Sequence, residues 1–484
     1  MKHTLLYILA LTATMLSLAS CNNYLDVRPK SEKLESDLFT GEQGFEDAIY
    51  GVYGAMTQNS LYGKDLVWGV PEVLAQNLAG GSTAMQTMAK YDYTSNATVR
   101  STLLSIWTKA YETIGYANNI LYQLDQWHGQ PMRFQRFYKG EMLAVRAMLH
   151  FDLVRLFAST NSSATGIPYV TTYNYDVKPF LKVSEVYEHL LADLHEAETL
   201  LADDAKYIKF PHDNTHYFDF ENYRETHLNL YAVYALLARV NWTLGNQAEA
   251  ARYARLIIDS KAFPLVEQSE VQDYLTGVLS PKETIFGLYS TEYASTCSSY
   301  LYYYTSYHTY TPYYNGSGTD YLMPYTAVYS QDVLPNEQDY RKEGHFVEHA
   351  GYATFRKLVD YYSIENLPST GRKDLIEGFT LLHASEFYLI AADALLDADY
   401  DSALDYYNTE IKSRGLTPLR TDQTLTHQRI ANEYRKEMFG EGQTWYNMKR
   451  LKQDIVSNAE ARTIPASDAL YVLPVPEEEF EYRQ

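Results

Sequence analysis

Apolar side chains in this chain return every third or fourth residue over most of its length, in runs that come as neighbouring pairs. In 102–125, Ile106, Trp107, Ala110, Ile114, Ala117, Ile120, Leu121 and Leu124 fall on one stripe, the signature of a long amphipathic helix. Gly129 and Pro131 end it. The next run, 133–157, carries Phe137, Met142, Val145, Leu149, Leu153 and Leu156. Two such helices with so short a link pack antiparallel. The same reading gives a helix from Gly44 (Phe45, Ala48, Ile49, Val52, Tyr53, Met56) and one over Glu185 to Leu201, with Ser184 as N-cap. Another runs from His227 to the stop at Gly245-Asn246, and Gln247 to Ser260 follows it. Late helices are expected over Leu381 to Leu396, Tyr400 to Ser413 and Leu425 to Lys452.

Two stretches share a spacing. Tyr234, Leu237, Ala238, Gly245, Ala250 and Ala254 sit near the offsets of a tetratricopeptide unit, and Phe387, Ile390, Ala391, Ala403 and Tyr407 repeat them. Small residues there let paired helices approach closely. Residues 57–100, 203–225 and 265–375 lack this order and read as loop, the last with a few short strands. The expected fold is mostly α, with degenerate tetratricopeptide-like helix pairs scaffolding an irregular, loop-rich half. One domain, 21–484, has an N-terminal helical part (21–264) and a C-terminal part (265–484), and the apolar tail Leu470 to Pro476 packs back onto the body.

The first residues set the compartment. Lys2 and His3 precede an apolar run, Leu5 to Leu18, that ends in Leu18-Ala19-Ser20-Cys21. That pattern fits a signal peptide over 1–20 with Cys21 as the lipid-bearing first mature residue. The run is shorter than the roughly 20 apolar residues a membrane-spanning helix needs. The other cysteine, Cys297, then lacks an intrachain partner, so the core alone must hold an exported fold. With 40 basic and 61 acidic side chains the net charge is −21. That excess argues against nucleic acid, whose phosphates require Lys and Arg. It also argues against a polybasic grip on lipid, and leaves the acyl chains as the anchor.

Tyrosine is the anomaly, at 47 of 484 residues. Its flat face and hydroxyl suit sugar rings and peptide side chains alike. The densest run, Tyr300 to Tyr314, lies in the loop-rich half. There Tyr302, Tyr303, Tyr307, Tyr310, Tyr313 and Tyr314 are interleaved with Ser, Thr, His308 and Asn315. Exposed aromatic surface of this kind marks a binding site. Trp68, Tyr91, Tyr93 and Asn96, in the early irregular segment, form a second candidate. Trp107, Trp242 and Trp445 sit on helical stripes and read as core. His345-Phe346-Val347-Glu348-His349 matches H-x-x-E-H, in which two His four apart on a helix hold zinc and Glu acts as base. Gly344 and Gly351 bracket it, which suits a strand or loop, and no third ligand is evident. Pro211-His212-Asp213, His216 and Asp219 read as a polar loop. No cofactor is expected, although acidic loops admit a structural calcium ion. No P-loop, dinucleotide fingerprint or nucleophile elbow is present.

Several segments, in order, resemble the SusD/RagB family of outer-membrane nutrient-binding lipoproteins. They are Tyr24-Leu25-Asp26-Val27-Arg28-Pro29, Gly44-Phe45-Glu46-Asp47-Ala48 with Gly51-Val52-Tyr53, Gly166-Ile167-Pro168, and Val183-Ser184-Glu185-Val186-Tyr187 with Asp193-Leu194. Ala235 to Val240 with Gly245-Asn246, Glu386 to Asp393 with Ala403-Leu404 and Asn408, and the closing run Arg435 to Arg450 complete the series. Lys182 and Gln443 depart from the family pattern at positions that read as structural. The resemblance implies a non-enzymatic lipoprotein of the cell outer membrane, surface-exposed, that captures oligosaccharides or, in some members, peptides. It implies a partner, a SusC/RagA-like TonB-dependent barrel over which the protein sits as a lid. No ligand residue transfers by motif, because the family's contacting aromatics lie in variable loops.

Overall fold

A computed structural model describes residues 38–80, 82–211, 219–267, 270, 278–301, 310–312, 328–334, 337–349, 352–358, 376–420, 423–457, 462–481 and 483. The first helix, α1 (Glu42–Met56), buries Phe45, Ile49, Val52, Tyr53 and Met56, the stripe read from spacing. The following segment is more ordered than its irregular pattern suggests. A π-helical turn, Asp65–Gly69, runs into α2 (Val70–Leu74), then β1 (Leu78–Gly80) and α3 (Thr83–Ala89). Nearly all of Leu61 to Leu78 is buried, so packing fixes what local propensity does not.

Helix α4 (Ala97–Asp125) begins five residues before the predicted start, because Asn96 caps it through Thr98 N at 2.8 Å and Val99 N at 3.3 Å. Its antiparallel partner is α5 (Gln135–Phe157). In α6 (Val183–Leu200), Lys182 occupies the N-cap position, and the Glu185 carboxylate accepts its backbone N–H at 2.8 Å. Ser184 therefore lies inside the first turn, a correction to the predicted cap. Helices α7 (Leu230–Leu244) and α8 (Gln247–Ser260) are joined at Gly245, whose φ of 79° is the left-handed conformation a helix stop needs.

The loop-rich half holds β2 (Thr284–Tyr289), α9 (Tyr293–Leu301), β3 (Tyr310–Pro312), α10 (Tyr340–His345), β4 (Phe346–His349), β5 (Tyr352–Phe355) and β6 (Gly378–His383). Then come α11 (Ala384–Leu395), α12 (Tyr400–Ser413), α13 (His427–Glu437) and α14 (Gln443–Arg450). The single helix expected over 425–452 is two, because Gly440 and Gly442 take φ of 83° and 78° and turn the chain. Strands β7 (Ile455–Ser457) and β8 (Arg462–Ile464), and the one-turn helices α15 (Asp468–Tyr471) and α16 (Glu478–Glu481), close the chain. Among the described residues the strands form four antiparallel two-stranded sheets, β1–β3, β2–β6, β4–β5 and β7–β8.

The helical pairs stack in succession: α4 on α5, α5 on α6, α7 on α8, α8 on α11, and α11 on α12. Ala250, Ala254, Ala391 and Ala403 are fully buried at these contacts, which is the physical content of the repeat signal. Buried ion pairs stitch the stack. Arg146 grips Asp193 at 2.7 and 2.6 Å between α5 and α6, and Arg239 grips Glu386 at 2.6 and 2.5 Å between α7 and α11. Such pairs cost desolvation to form, but removing one partner strands a charge, at about 3–5 kcal/mol. The tail returns as expected: Leu470, Tyr471 and Leu473 are buried, and Leu473 N donates to the Leu156 carbonyl at 3.0 Å.

Candidate functional site

The structure brings together two segments that are far apart in sequence. β1 pairs antiparallel with β3, Leu78 opposite Pro312, Ala79 opposite Thr311 and Gly80 opposite Tyr310. Beside this pair the Trp68 and Tyr300 rings approach to 5.9 Å between centroids, and the Lys64 ammonium lies 5.3 Å over the Tyr300 ring. Both ends of the tyrosine run are thus fixed against the early segment: α9 delivers one end and β3 fixes the other. Tyr302, Tyr303, Tyr307, Tyr313 and Tyr314 lie outside the described residues, and for Tyr310 only the backbone is described.

An open groove of about 670 Å³ is lined in part by the π-helical turn and by α9, the elements that carry Trp68 and Tyr300. The turn after α1 supplies Thr57, Gln58, Asn59 and Ser60; the first turns of α4 supply Thr98, Ser101, Thr102 and Ser105; and α9 supplies Tyr293 and Thr296. Hydroxyls and amides dominate the walls. Asp65 and Glu292 are the charged lining groups, and no basic side chain lines the groove among the described residues. Burial raises the Asp65 carboxyl, partly offset by the Lys64 ammonium at 2.7 Å. Such a wall can accept and donate many neutral hydrogen bonds.

In the second predicted set, Trp68 is corrected. Trp68 is completely buried among α2, α9 and the core, so its ring cannot face a ligand. Tyr93 is 6% exposed, and its hydroxyl donates to the Leu470 carbonyl at 2.6 Å. Tyr91 is half-buried; its hydroxyl donates to the Leu74 carbonyl at 3.0 Å and its ring stacks on Trp445. Asn96 caps α4. These residues shape the scaffold, although Tyr91 and Tyr93 also line an aromatic cleft of about 850 Å³ with Phe157, Phe180 and Phe480. Sequence reasoning missed the hydroxyl groove. Its Ser and Thr residues are common types, and their clustering exists only after α1, α4 and α9 pack.

The zinc reading fails on backbone geometry. His345 ends α10 while Glu348 and His349 lie in β4, so no helical face carries both histidines. Of the polar loop 211–219, His212, Asp213 and His216 lie outside the described residues. One other cluster, Glu283, His383 and Glu437, brings ligand atoms within 4.8 Å of each other. Its groups are already committed. Arg414 holds Glu283 at 3.0 Å and Glu437 at 2.7 Å, and the Ser385 hydroxyl donates to Glu437 at 2.7 Å while facing His383 Nδ1 at 2.6 Å. Burial alone would lower the His383 pKa, but Glu441 at 2.8 Å and Glu437 hold it above its ordinary value. Lys357, Arg341 and Arg414 pair with Glu441, Glu437 and Glu283 at the same site, so these carboxylates already have cationic partners.

The closing sequence signature explains how the groove is positioned. The Glu72 carboxylate on α2 accepts Gly440 N at 3.0 Å and Gly442 N at 2.8 Å. Arg435 on α13 holds Asn77, the residue before β1. Trp445 is fully buried, and the Gln443 side chain accepts from Arg155 at 3.0 Å. A late helix pair therefore clamps the early segment that carries β1. The fold has known counterparts. Residues 23–242 match a family model described as starch-binding and associating with the outer membrane, and 282–479 match the SusD family model. The chain belongs to the SusD family. A SusD superfamily protein from Bacteroides vulgatus superposes with a TM-score of 0.70 at 21% identity, covering 91% of this chain and 97% of the other. A SusD-like carbohydrate-binding protein from the same species gives 0.67 at 18% identity, covering 90% and 95%. A SusD superfamily protein from Bacteroides thetaiotaomicron gives 0.66 at 20% identity, covering 91% and 97%. No curated protein matches the sequence. SusD-like proteins are binding proteins associated with the outer membrane, and among the described residues no helix is long and apolar enough to cross a membrane.

Proposed function

We propose that this SusD-family chain is a non-enzymatic surface receptor that captures neutral oligosaccharides and passes them to a SusC/RagA-like TonB-dependent barrel. A lipid on Cys21 holds it at the outer membrane. The observation that carries this reading is that α9 lines the hydroxyl-rich groove and leads directly into the tyrosine run at Tyr300. It brings the start of the tyrosine run to a wall of neutral hydrogen-bonding groups, while β1 holds the chain again at Tyr310–Pro312. Sugars need both features: aromatic faces for their C–H surfaces, and directional polar groups for their hydroxyls. Hydroxyls and amides dominate this wall and no basic side chain lines it among the described residues, which suits neutral sugars better than acidic ones. Tyr302, Tyr303, Tyr307, Tyr310, Tyr313 and Tyr314 are the rings assigned to stacking.

The test is affinity electrophoresis of the purified mature protein through soluble starch, mixed-linkage glucan, xylan and galactomannan, followed by titration calorimetry with oligosaccharides of the retained polymer. Ser101 is exposed on the groove wall. Ser101→Trp fills the groove and is expected to cut affinity at least tenfold with the melting temperature unchanged. Binding of a peptide library with no retention by any polysaccharide would overturn the glycan reading.

A further inference from the structure

The exposed aromatic surface gathers at another place, on the loop between α5 and α6 and the adjoining face of α4. Every residue from Thr171 to Val177 is exposed. Tyr175 stands entirely in solvent, and Tyr173 and Tyr116 are about half exposed. Tyr173 lies near enough to Tyr116 to raise its phenol further, after the larger effect of the hydrogen bond to Glu112.

The root of this loop is rigid. Tyr111 OH donates to the Pro168 carbonyl at 2.8 Å, and Asn118 Nδ2 donates to the Val170 carbonyl at 3.0 Å. Buried His150 donates from Nδ1 to the Arg146 carbonyl at 2.8 Å, which leaves Nε2 to accept Val170 N at 3.0 Å. Burial pushes this imidazole down to about 3, so it stays neutral and keeps that tautomer. At the tip, the Asn174 side-chain oxygen receives the Thr172 hydroxyl at 3.3 Å and Asp176 N at 3.2 Å. The tip is folded before any ligand arrives, which lowers the entropy a ligand must overcome.

We propose that Tyr173, Tyr175 and Tyr116 form a second sugar-stacking platform, distal to the groove, for the same neutral glycan chain. The sequence Thr172-Tyr173-Asn174-Tyr175-Asp176 alternates rings with an amide and a carboxylate. Isolated rings separated by hydrogen-bonding groups suit the alternating C–H and O–H surface of a sugar chain. Thr102, in the groove wall, and Tyr116 share helix α4 and are 14 residues apart, a rise of about 20 Å. A long chain can span that gap and a short one cannot, so engagement of both sites makes affinity depend on chain length through effective concentration.

This proposal rests on the glycan reading, and the test separates the two. The probes are a trisaccharide and a fragment of about fifteen sugars, both cut from the retained polysaccharide, titrated against wild type, Ser101→Trp and the triple variant Tyr116→Ala/Tyr173→Ala/Tyr175→Ala. The triple variant is expected to bind the trisaccharide as wild type does and to lose at least tenfold in affinity for the long fragment. An unchanged long-fragment affinity overturns the platform and leaves the groove standing. Loss of all binding in the triple variant, with Ser101→Trp silent, overturns the groove and leaves the platform as the sugar site. Failure of wild type to retain any of the four polysaccharides overturns both. Far-UV circular dichroism of each variant checks the fold.

Discussion

Arg435 holds the side-chain oxygen of Asn77 between its Nε and Nη2, at 2.9 and 2.8 Å, across 358 residues of chain. Asn77 is the residue before β1, and its amide in turn donates to Glu72 at 2.9 Å. The placement of β1, and with it β3 and one end of the tyrosine run, therefore depends on a guanidinium in the last helical pair. Arg435→Met keeps the bulk but leaves Asn77 Oδ1 and the Ala75 carbonyl without this buried donor. The expected loss is about 2–4 kcal/mol in urea unfolding. Glycan affinity should fall as well, because the groove and the strand pair share this segment. Full stability in the variant would show that β1 is held elsewhere.

Gly442 tests the same clamp from its other side. Its φ is 78°, and a Cβ there would sit 2.6 Å from the Val67 carbonyl oxygen. Its N–H is one of the two backbone donors that keep the buried Glu72 carboxylate satisfied, while burial pushes that carboxyl up to about 7. Gly442→Ala must therefore move the turn or the π-helical segment, and it adds left-handed strain of about 1–2 kcal/mol. A total loss of roughly 3 kcal/mol is expected by chemical denaturation, whereas Gly51→Ala, inside α1 where a Cβ meets nothing within 4 Å, is expected to gain about 0.5–1 kcal/mol.

His427 gives the fold a pH signature. Its Nδ1 lies 2.6 Å from Asp393 and its Nε2 3.2 Å from Asp397. The hydrogen bond to Asp393, reinforced by its charge and by Asp397, raises the imidazole to about 9. The folded state then binds a proton more tightly than the unfolded chain, whose histidine titrates near 6.5. The stabilisation is complete below pH 6.5 and is lost as pH rises towards 9. The ring is 44% exposed, so solvent screening limits the effect to about 1 kcal/mol. In calorimetric melts, His427→Gln is expected to lower the melting temperature at pH 6 and to flatten its decline between pH 6.5 and 9. A variant that follows the wild-type slope would assign that slope to other groups.

The helices were legible where one face alone is apolar. The spacing of Phe45, Ile49, Val52 and Met56, or of Tyr400 to Ser413, survives intact because each helix lies on the stack and keeps a wet side. Legibility failed where burial is complete. Residues 61–78 are buried on nearly every side, with Asp65, Glu72, Gln76 and Asn77 buried among the apolar side chains, so periodicity carries no phase and the π-helical turn and α2 were unreadable. The long helix drawn over 425–452 failed for a different reason. Gly440 and Gly442 adopt left-handed turns only because Glu72 and Val67 approach them, a contact from the other end of the chain. The hydroxyl groove was invisible for the same cause. Ser101 and Thr296 are unremarkable until α4 and α9 meet. The aromatic segments were found by composition, but composition could not separate Tyr175, in solvent, from Trp68, in the core.

That separation can be measured. Trp68 is fully buried and touches Tyr300, and Tyr93 spends its hydroxyl on the Leu470 carbonyl, tying α15 and the tail to the start of α4. If these rings serve the scaffold, their loss appears in stability first. Trp68→Ala opens a large cavity and is expected to cost about 3–5 kcal/mol. Tyr93→Phe removes one buried hydrogen bond and leaves a carbonyl unpaired, at about 1–2 kcal/mol. Tyr93→Phe keeps the ring and the cleft wall, so affinity for the retained oligosaccharide should stay within twofold of wild type. Tyr175→Ala, which touches no core, is expected to change urea stability by less than 0.5 kcal/mol. A Tyr93→Phe variant that unfolds like wild type but binds tenfold more weakly would return that hydroxyl to the ligand and reverse the assignment made here.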